Sequence, residues 1–211
     1  MNPSEEHNHP NKEEHNHPTK EALLDYVSAL LESKNPSEVR SDEVLEATSI
    51  SKGSLYHHFA DFSDLIEEAL VWRFSKSIDL AVNVLFVALK AAASQEEFRS
   101  ILLARQRFVA DHDESLFRDR INIQSMSLAS PRFLEKIAVQ QERLTLGWMD
   151  LIANVQEKGW GNHKIDSRAM AVLIQSTAVG PIIDRMSVTH IEPQLWQNLV
   201  NQFIADLLFS D

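Results

Sequence analysis

Apolar residues first recur at helical spacing from Thr19 onward. Ala22, Leu23, Tyr26, Val27, Leu30 and Leu31 fall on one face of a helix, with Thr19 placed to cap it. Asn35-Pro36 ends that helix, because the residue before a proline is pushed out of the helical region. A short second helix follows Ser41. Asp42 and Glu43 sit in its first turn, where the helix dipole favours acids, and Val44, Leu45 and Ala47 form its inner face. After Thr48-Ser49-Ile50 a third helix starts behind Ser51 as its cap, and Leu55 and Phe59, four apart, face inward together.

Beyond Asp61 the pattern lengthens. Leu65, Ile66, Ala69, Leu70, Ile78, Ala81, Val82, Leu85 and Leu89 mark a helix over about 62–92. Others are expected at about 95–111, 115–128, 131–158, 167–187 and 194–209. Pro131 lies just inside one start and Gly159 just past its end, the usual asymmetry of helix termini. Gly180-Pro181 should kink the 167–187 helix, since proline lacks the N–H that the ladder needs. No convincing β alternation occurs. The fold class expected is all-α. It comprises an N-terminal three-helix head with a helix-turn-helix (residues 19–67) and a helical remainder (68–211). The stretch before Thr19 has no large apolar side chain beyond Met1 and reads as a disordered tail, residues 1–18.

Composition narrows the function classes. The 211 residues are 44% hydrophobic, enough for a core, with only five glycines and seven prolines. There is no cysteine, so disulfides and thiolate metal sites are excluded, and a reducing cytoplasm is the simple expectation. The most apolar run, residues 80–89, is too short to span a bilayer, so no membrane partner is expected. The net charge of −11 argues against a protein that coats nucleic acid nonspecifically.

The tail is an eight-residue unit written twice, EEHNHPNK EEHNHPTK, holding His7, His9, His15 and His17. Four imidazoles on a flexible strand suit zinc, nickel or copper. The plainer reading is a solvated tail expanded by duplication, and no metal site or cofactor is assigned. Asp111-His112-Asp113-Glu114, His163 and His190 are read as solvated turns. There is no glycine-rich phosphate loop, no HExxH and no local Ser–His–Asp arrangement, so an enzyme is not expected.

The chemistry lies in ISKGSLYHHFADFSDLIEEAL, residues 50–70. Small residues at a helix start permit close approach to a phosphate backbone, and free N–H groups there bind phosphate oxygens. Lys52 adds charge, Tyr56 a hydroxyl, and His57 and His58 can donate to phosphates or base edges. Spacing alone fits a structural helix of an α-bundle equally well. The pattern Ser-Lys-Gly-Ser-Leu-Tyr-x-His-Phe, followed by Asp and a helix containing Leu65, resembles the tetracycline-repressor (TetR) family of transcriptional regulators over roughly residues 19–70.

The resemblance implies a homodimeric regulator, most often a repressor, on a palindromic double-stranded DNA operator. It also implies a small-molecule effector, largely apolar, that releases the DNA. Carried over by position, Ser51, Lys52, Ser54, Tyr56, His57 and His58 contact DNA. Phe86, Phe108, Phe117, Ile123, Met126, Trp148 and Gln175 are the expected pocket. Leu144, Leu151, Val155, Val172, Ile174, Val179 and Ile183 are the expected dimer interface. Two features depart from the family's habit. Phe62 stands where a phosphate-gripping lysine is common, and residues 19–67 hold four Lys/Arg against ten Asp/Glu, a net of −6. These lead to an expectation of weak, local DNA contact. A helical ligand- or metal-binding protein with a DNA-silent head is the other reading the sequence leaves open.

Overall fold

The computed structural model describes residues 18–112 and 114–209; for 79–82, 105–112 and 114 it describes the backbone alone. Ten α-helices follow one another: α1 (Pro18–Leu30), α2 (Ser41–Thr48), α3 (Lys52–His58), α4 (Phe62–Ala91), α5 (Gln95–His112), α6 (Glu114–Ala129), α7 (Pro131–Glu157), α8 (Ser167–Thr177), α9 (Pro181–Arg185) and α10 (Pro193–Phe209). A 3₁₀ turn, Pro36–Glu38, joins α1 to α2. No strand occurs among the described residues.

Most expected helices lie where the apolar spacing put them, and two differ. The first helix begins at Pro18, so Thr19 lies inside it and does not cap it; a proline is at ease in a first turn, where its missing N–H has no intrahelical partner anyway. The 167–187 helix is not kinked but divided. Without an N–H at Pro181 the ladder cannot run on. The chain tightens into three-residue hydrogen bonds, from Ala178 N to Gln175 O and from Val179 N to Ser176 O, before α9 starts.

Two apolar cores organise the helices. One joins α1–α3 and the first turns of α4: Leu23, Val27, Val44, Leu55, Phe59, Leu65 and Leu70 are all fully buried. It does not stop at residue 67, because Phe133 and Ile137 of α7 complete it and Ile123 and Met126 of α6 pack against it. The other joins the second half of α4 to α5, α7, α8 and α10 through Leu85, Leu89, Phe98, Ile152, Val155, Met170 and Ile204. The long helices α4 and α7 therefore each serve both cores, and they carry the small helices of the head on one end.

Candidate nucleic-acid interface

The third helix is built as the sequence requires. Ser49 closes α2 in the left-handed conformation, at φ 54°, and turns the chain sharply. Ser51 is extended, and its hydroxyl accepts from Ser54 N at 3.1 Å, which caps α3. Leu55 and Phe59 anchor α3 from beneath and are buried. Their burial fixes what the outer surface carries. Ser51, Lys52, Gly53, Tyr56 and His57 are exposed, and Ser54 and His58 are half-buried.

Tyr56 is 47% exposed, and the Lys52 ammonium lies 5.9 Å from its ring centre, so cation and phenol form one patch. The His57 and His58 rings stand edge to face at 5.1 Å, and His58 is edge-on to Phe59 at 6.5 Å. A Cβ on Gly53 would meet only the Ser51 hydroxyl, at 3.9 Å. The fold leaves that position open on the outer side. A serine, a lysine, a bare backbone, a phenol and an imidazole thus share one convex ridge, with hydrogen-bond donors and little side-chain bulk at its start.

Phe62 begins α4 and is half-buried against the head core, so no cation projects from that helix start. The acidic excess of the head is not spread over the ridge. Three of the ten acids, Asp61, Asp64 and Glu67, turn toward α7. Arg132 Nη1 donates to Asp61 at 2.9 Å and Arg132 Nε to Glu67 at 2.9 Å, while Lys136 bonds Asp64. Glu43 is held by Lys34 at 2.6 Å, and Arg73 lies 3.8 Å from Glu32.

The Arg132 hydrogen bond holds the Asp61 carboxyl below its usual range. For Asp64, burial pushes the value up, but Lys136, the Ala60 N–H and Arg132 together outweigh it and the value falls. Arg132 is pushed up by its bonds to Asp61 and Glu67. Three of the ten acids in the charge count are thus paired with α7, and the other seven are not.

The expected pocket residues do not surround one cavity. Ile123 and Met126 belong to the first core, and Phe86 and Trp148 to the second. Phe117 is covered by the Arg185 guanidinium, 3.9 Å from its ring centre. Gln175 donates to Thr145 Oγ1 at 3.2 Å and accepts from Gln141 at 2.5 Å, which ties α8 to α7. The side chain of Phe108 lies outside the described residues. The void beside Trp148 is about 10 Å³, no larger than a water needs. The roomier feature is an open cleft of about 860 Å³ between α4 and α7, walled by Ile78, Asn83, Val139, Glu142, Leu146 and Asp150. None of the six expected residues whose side chains are described lines it.

The expected interface residues divide. Leu151, Val155 and Ile174 are buried in the chain's own second core, which leaves them no surface to offer a second copy. Helical periodicity alone does not say which of two apolar faces points inward. Leu144 and Val179 are half-buried, and Val172 and Ile183 are exposed. Leu195, Leu199 and Phe203 on α10, which the expectation did not name, are also exposed apolar residues. Their four-residue spacing was the signal that could have found them.

The tail histidines lie outside the described residues, as do the side chains of Asp111–Glu114. His190 bonds the Asp184 carbonyl at 2.8 Å and closes the loop after α9. Among the described residues no three His, Asp or Glu side chains gather as a metal site, and no helix is long and apolar enough to cross a membrane.

No family model matches the chain, and no curated protein sequence does. Solved structures do share its fold. A protein of Mesorhizobium loti assigned to the TetR family of transcriptional regulators aligns with a TM-score of 0.69 at 15% identity, over 88% of this chain and 93% of that one. A TetR-family transcriptional regulator from Cytophaga hutchinsonii aligns with a TM-score of 0.68 at 17% identity, over 92% and 96%. A transcriptional regulator of Saccharomonospora viridis solved in complex with choline gives 0.67 at 16%, over 91% and 98%. The chain has the fold of TetR-type regulators: a helix-turn-helix head on a helical body.

Proposed function

We propose that this protein is a dimeric, ligand-responsive transcriptional regulator of the TetR type, a repressor in its ordinary mode, and not an enzyme. The observation that carries the reading is the α3 ridge. Ser51 caps the helix, Leu55 and Phe59 hold it from beneath, and Lys52, Gly53, Tyr56 and His57 stand free on the outer side. Such a ridge fits a DNA major groove, with Ser51, Lys52 and Ser54 on phosphate and Tyr56, His57 and His58 toward base edges and the sugar-phosphate wall. Residues 19–67 act as the reading head and 68–211 as the ligand and dimer body. Two heads related by a twofold axis read a palindrome with half-sites about one helical turn apart or slightly more. These are cytoplasmic tasks.

The effector enters the α4–α7 cleft. Its walls mix Ile78, Val139 and Leu146 with Asn83, Glu142 and Asp150, so the effector has polar groups beside its apolar body. It releases the operator by binding better to the DNA-incompetent arrangement of the heads, and only that difference in affinity does work.

The test is selection of genomic fragments by the purified protein, followed by binding of the recovered site with Tyr56→Ala and Lys52→Ala. One palindromic site, weakened in both variants, is the expected result. No enrichment even at low salt would overturn the reading and favour a DNA-silent helical binder.

A further inference from the structure

We infer that Arg132 and Lys136 of α7 are the positioning residues of the head: they join α7 to the start of α4 so that the reading helix and α7 move as one body. The consequence for DNA spacing rests on the regulator reading above; the mechanical claim does not.

The seam begins with a solvation problem on α4. Asp64 is 7% exposed and Glu67 only 2%. Carboxylates this far from water need partners, and removing the partner of a buried charge is strongly unfavourable. Every side-chain partner of these two comes from the first two turns of α7 or the residue before it. Arg132 uses its whole fork: Nε and Nη2 reach Glu67 at 2.9 and 3.2 Å, and Nη1 and Nη2 reach Asp61 at 2.9 and 3.2 Å. A planar guanidinium that bridges two carboxylates fixes direction as well as distance. Lys136 holds Asp64 and reaches Glu68 at 3.4 Å. The Ser130 hydroxyl donates to Glu67 at 3.1 Å while accepting from Phe133 N at 3.2 Å, so the cap of α7 is itself part of the seam.

The same acids build the turn between α3 and α4. Asp61 accepts from Asp64 N at 2.7 Å, and Asp64 accepts from Ala60 N at 2.9 Å. Ala60 directly follows Phe59, the residue that ends α3. A continuous path therefore runs from the reading helix through Ala60 and Asp64 to Lys136, and beside it through Asp61 to Arg132. Phe133 and Ile137, on the same face of α7, sit in the head core between these ion pairs. Polar and apolar contacts enforce one geometry.

Near its middle α7 is tied to α8 by Arg168–Glu142, at 2.7 and 2.8 Å, and by Gln141–Gln175. It also lines the α4–α7 cleft through Val139 and Leu146. A displacement of α7, from the cleft or from α8, is delivered to the head with no slack.

The absence of cysteine makes the test direct. Spin labels are attached through Glu46→Cys on α2 and Glu157→Cys at the end of α7, both exposed positions. With the labelled chain diluted into an excess of unlabelled chain, so that only distances within one protomer are read, the distribution is measured without DNA in the full chain and with Arg132→Gln/Glu67→Gln, which removes both charges together. A single narrow distance in the parent and a width roughly doubled in the double variant are expected. An unchanged width in a variant of native helix content overturns the inference. Should that variant not fold, Asp61→Asn removes only an exposed partner of Arg132; a broadening is again expected, and an unchanged width is again fatal.

A second arm compares selected operators with the half-site spacing altered by one base pair, a rotation of roughly 35° between half-sites. About tenfold discrimination by the parent should fall to within about threefold in the variant, and equal discrimination by both would overturn the inference. Broadening of the label distance in a protein that selects no DNA would sink the regulator reading and leave the seam standing.

Discussion

Gly180 and Trp196 are in direct contact: a Cβ at Gly180 would stand 2.4 Å from Cζ2 and 2.8 Å from Cη2 of the indole. The backbone at Gly180 is ordinary right-handed helix, at φ −51°, so conformational freedom is not what the position needs. It needs the absence of a side chain, because α10 crosses here on a ring. Gly180→Ala should cost about 1–3 kcal/mol, the usual range for overpacking. Urea midpoints would show it, and Trp196→Leu in the same chain should recover most of the loss. An alanine variant as stable as the parent would mean that α9 and α10 do not meet in this way.

Ser51 contributes to α3 by starting it correctly. Its hydroxyl satisfies Ser54 N, one of the orphan donors of a helix only seven residues long. Ser51→Ala should lower stability by about 1 kcal/mol, and Ser51→Gly by a few tenths. Amide exchange at Ser54 should accelerate in the alanine variant before exchange at Leu89 does. Equal protection at Ser54 in parent and variant would remove the cap from the account.

Stability and DNA affinity should part company at Gly53. Nothing in the fold opposes a methyl group there, since the nearest atom is 3.9 Å away. Alanine is the better helix former, by up to about 1 kcal/mol. Gly53→Ala should therefore keep or raise the melting temperature while weakening the selected operator several-fold, because the added carbon stands where a phosphate backbone approaches. If affinity is unchanged, the ridge does not meet DNA at its start.

The seam on α7 predicts the acid limb of stability. The Asp61 value is lowered chiefly by the Arg132 hydrogen bond, and that of Asp64 is lowered by Lys136 and the Ala60 N–H against the opposing effect of burial. A carboxyl depressed in the folded state stabilises fully above its unfolded value, about 3.9 for Asp. That contribution is lost as the pH falls through the lower, folded value. The two aspartates should thus add nothing to the pH dependence between pH 5 and 8 and steepen it below about pH 4. Melting temperatures of the parent and Asp64→Asn should run parallel above pH 5 and converge in acid. Curves that stay parallel down to pH 2.5 would contradict the assignment.

Local signals carried far into this fold, and they failed where distance mattered. The Ser51 cap, the inward pair Leu55 and Phe59 and the long helices follow from propensity and apolar spacing, which a single chain displays. The destination of Asp61, Asp64 and Glu67 does not. A charge count cannot see that the partners of these three come from residues 132 and 136. The placing of the expected pocket residues is illegible for a related reason. Phe86, Ile123 and Trp148 are bulky and apolar whether they line a cavity or fill a core, and only packing decides that they fill two different cores. Gly180-Pro181 announced a distortion, and the sequence did not show that it divides the helix in two.

The α10 face gives the last prediction. Leu195, Leu199 and Phe203 follow one another at intervals of four, with Leu199 67% and Phe203 50% exposed, while Val200, Ile204 and Leu208 face the core. Val172 of α8 and Ile183 and Met186 near α9 are exposed as well. Exposed apolar residues grouped on the late helices are candidates for a protein contact face. A twofold axis through it lets each helix cover its own copy, so one substitution acts twice. Leu199→Glu would bring two carboxylates into a face that must lose its water to pair. The parent should sediment at twice 24.0 kDa and the variant at 24.0 kDa. Val87→Glu, at an equally exposed position on α4, should leave the dimer intact. A Leu199→Glu protein that remains dimeric would move the interface off α10. A Val87→Glu protein that falls apart would place it on α4, beside the cleft assigned to the effector.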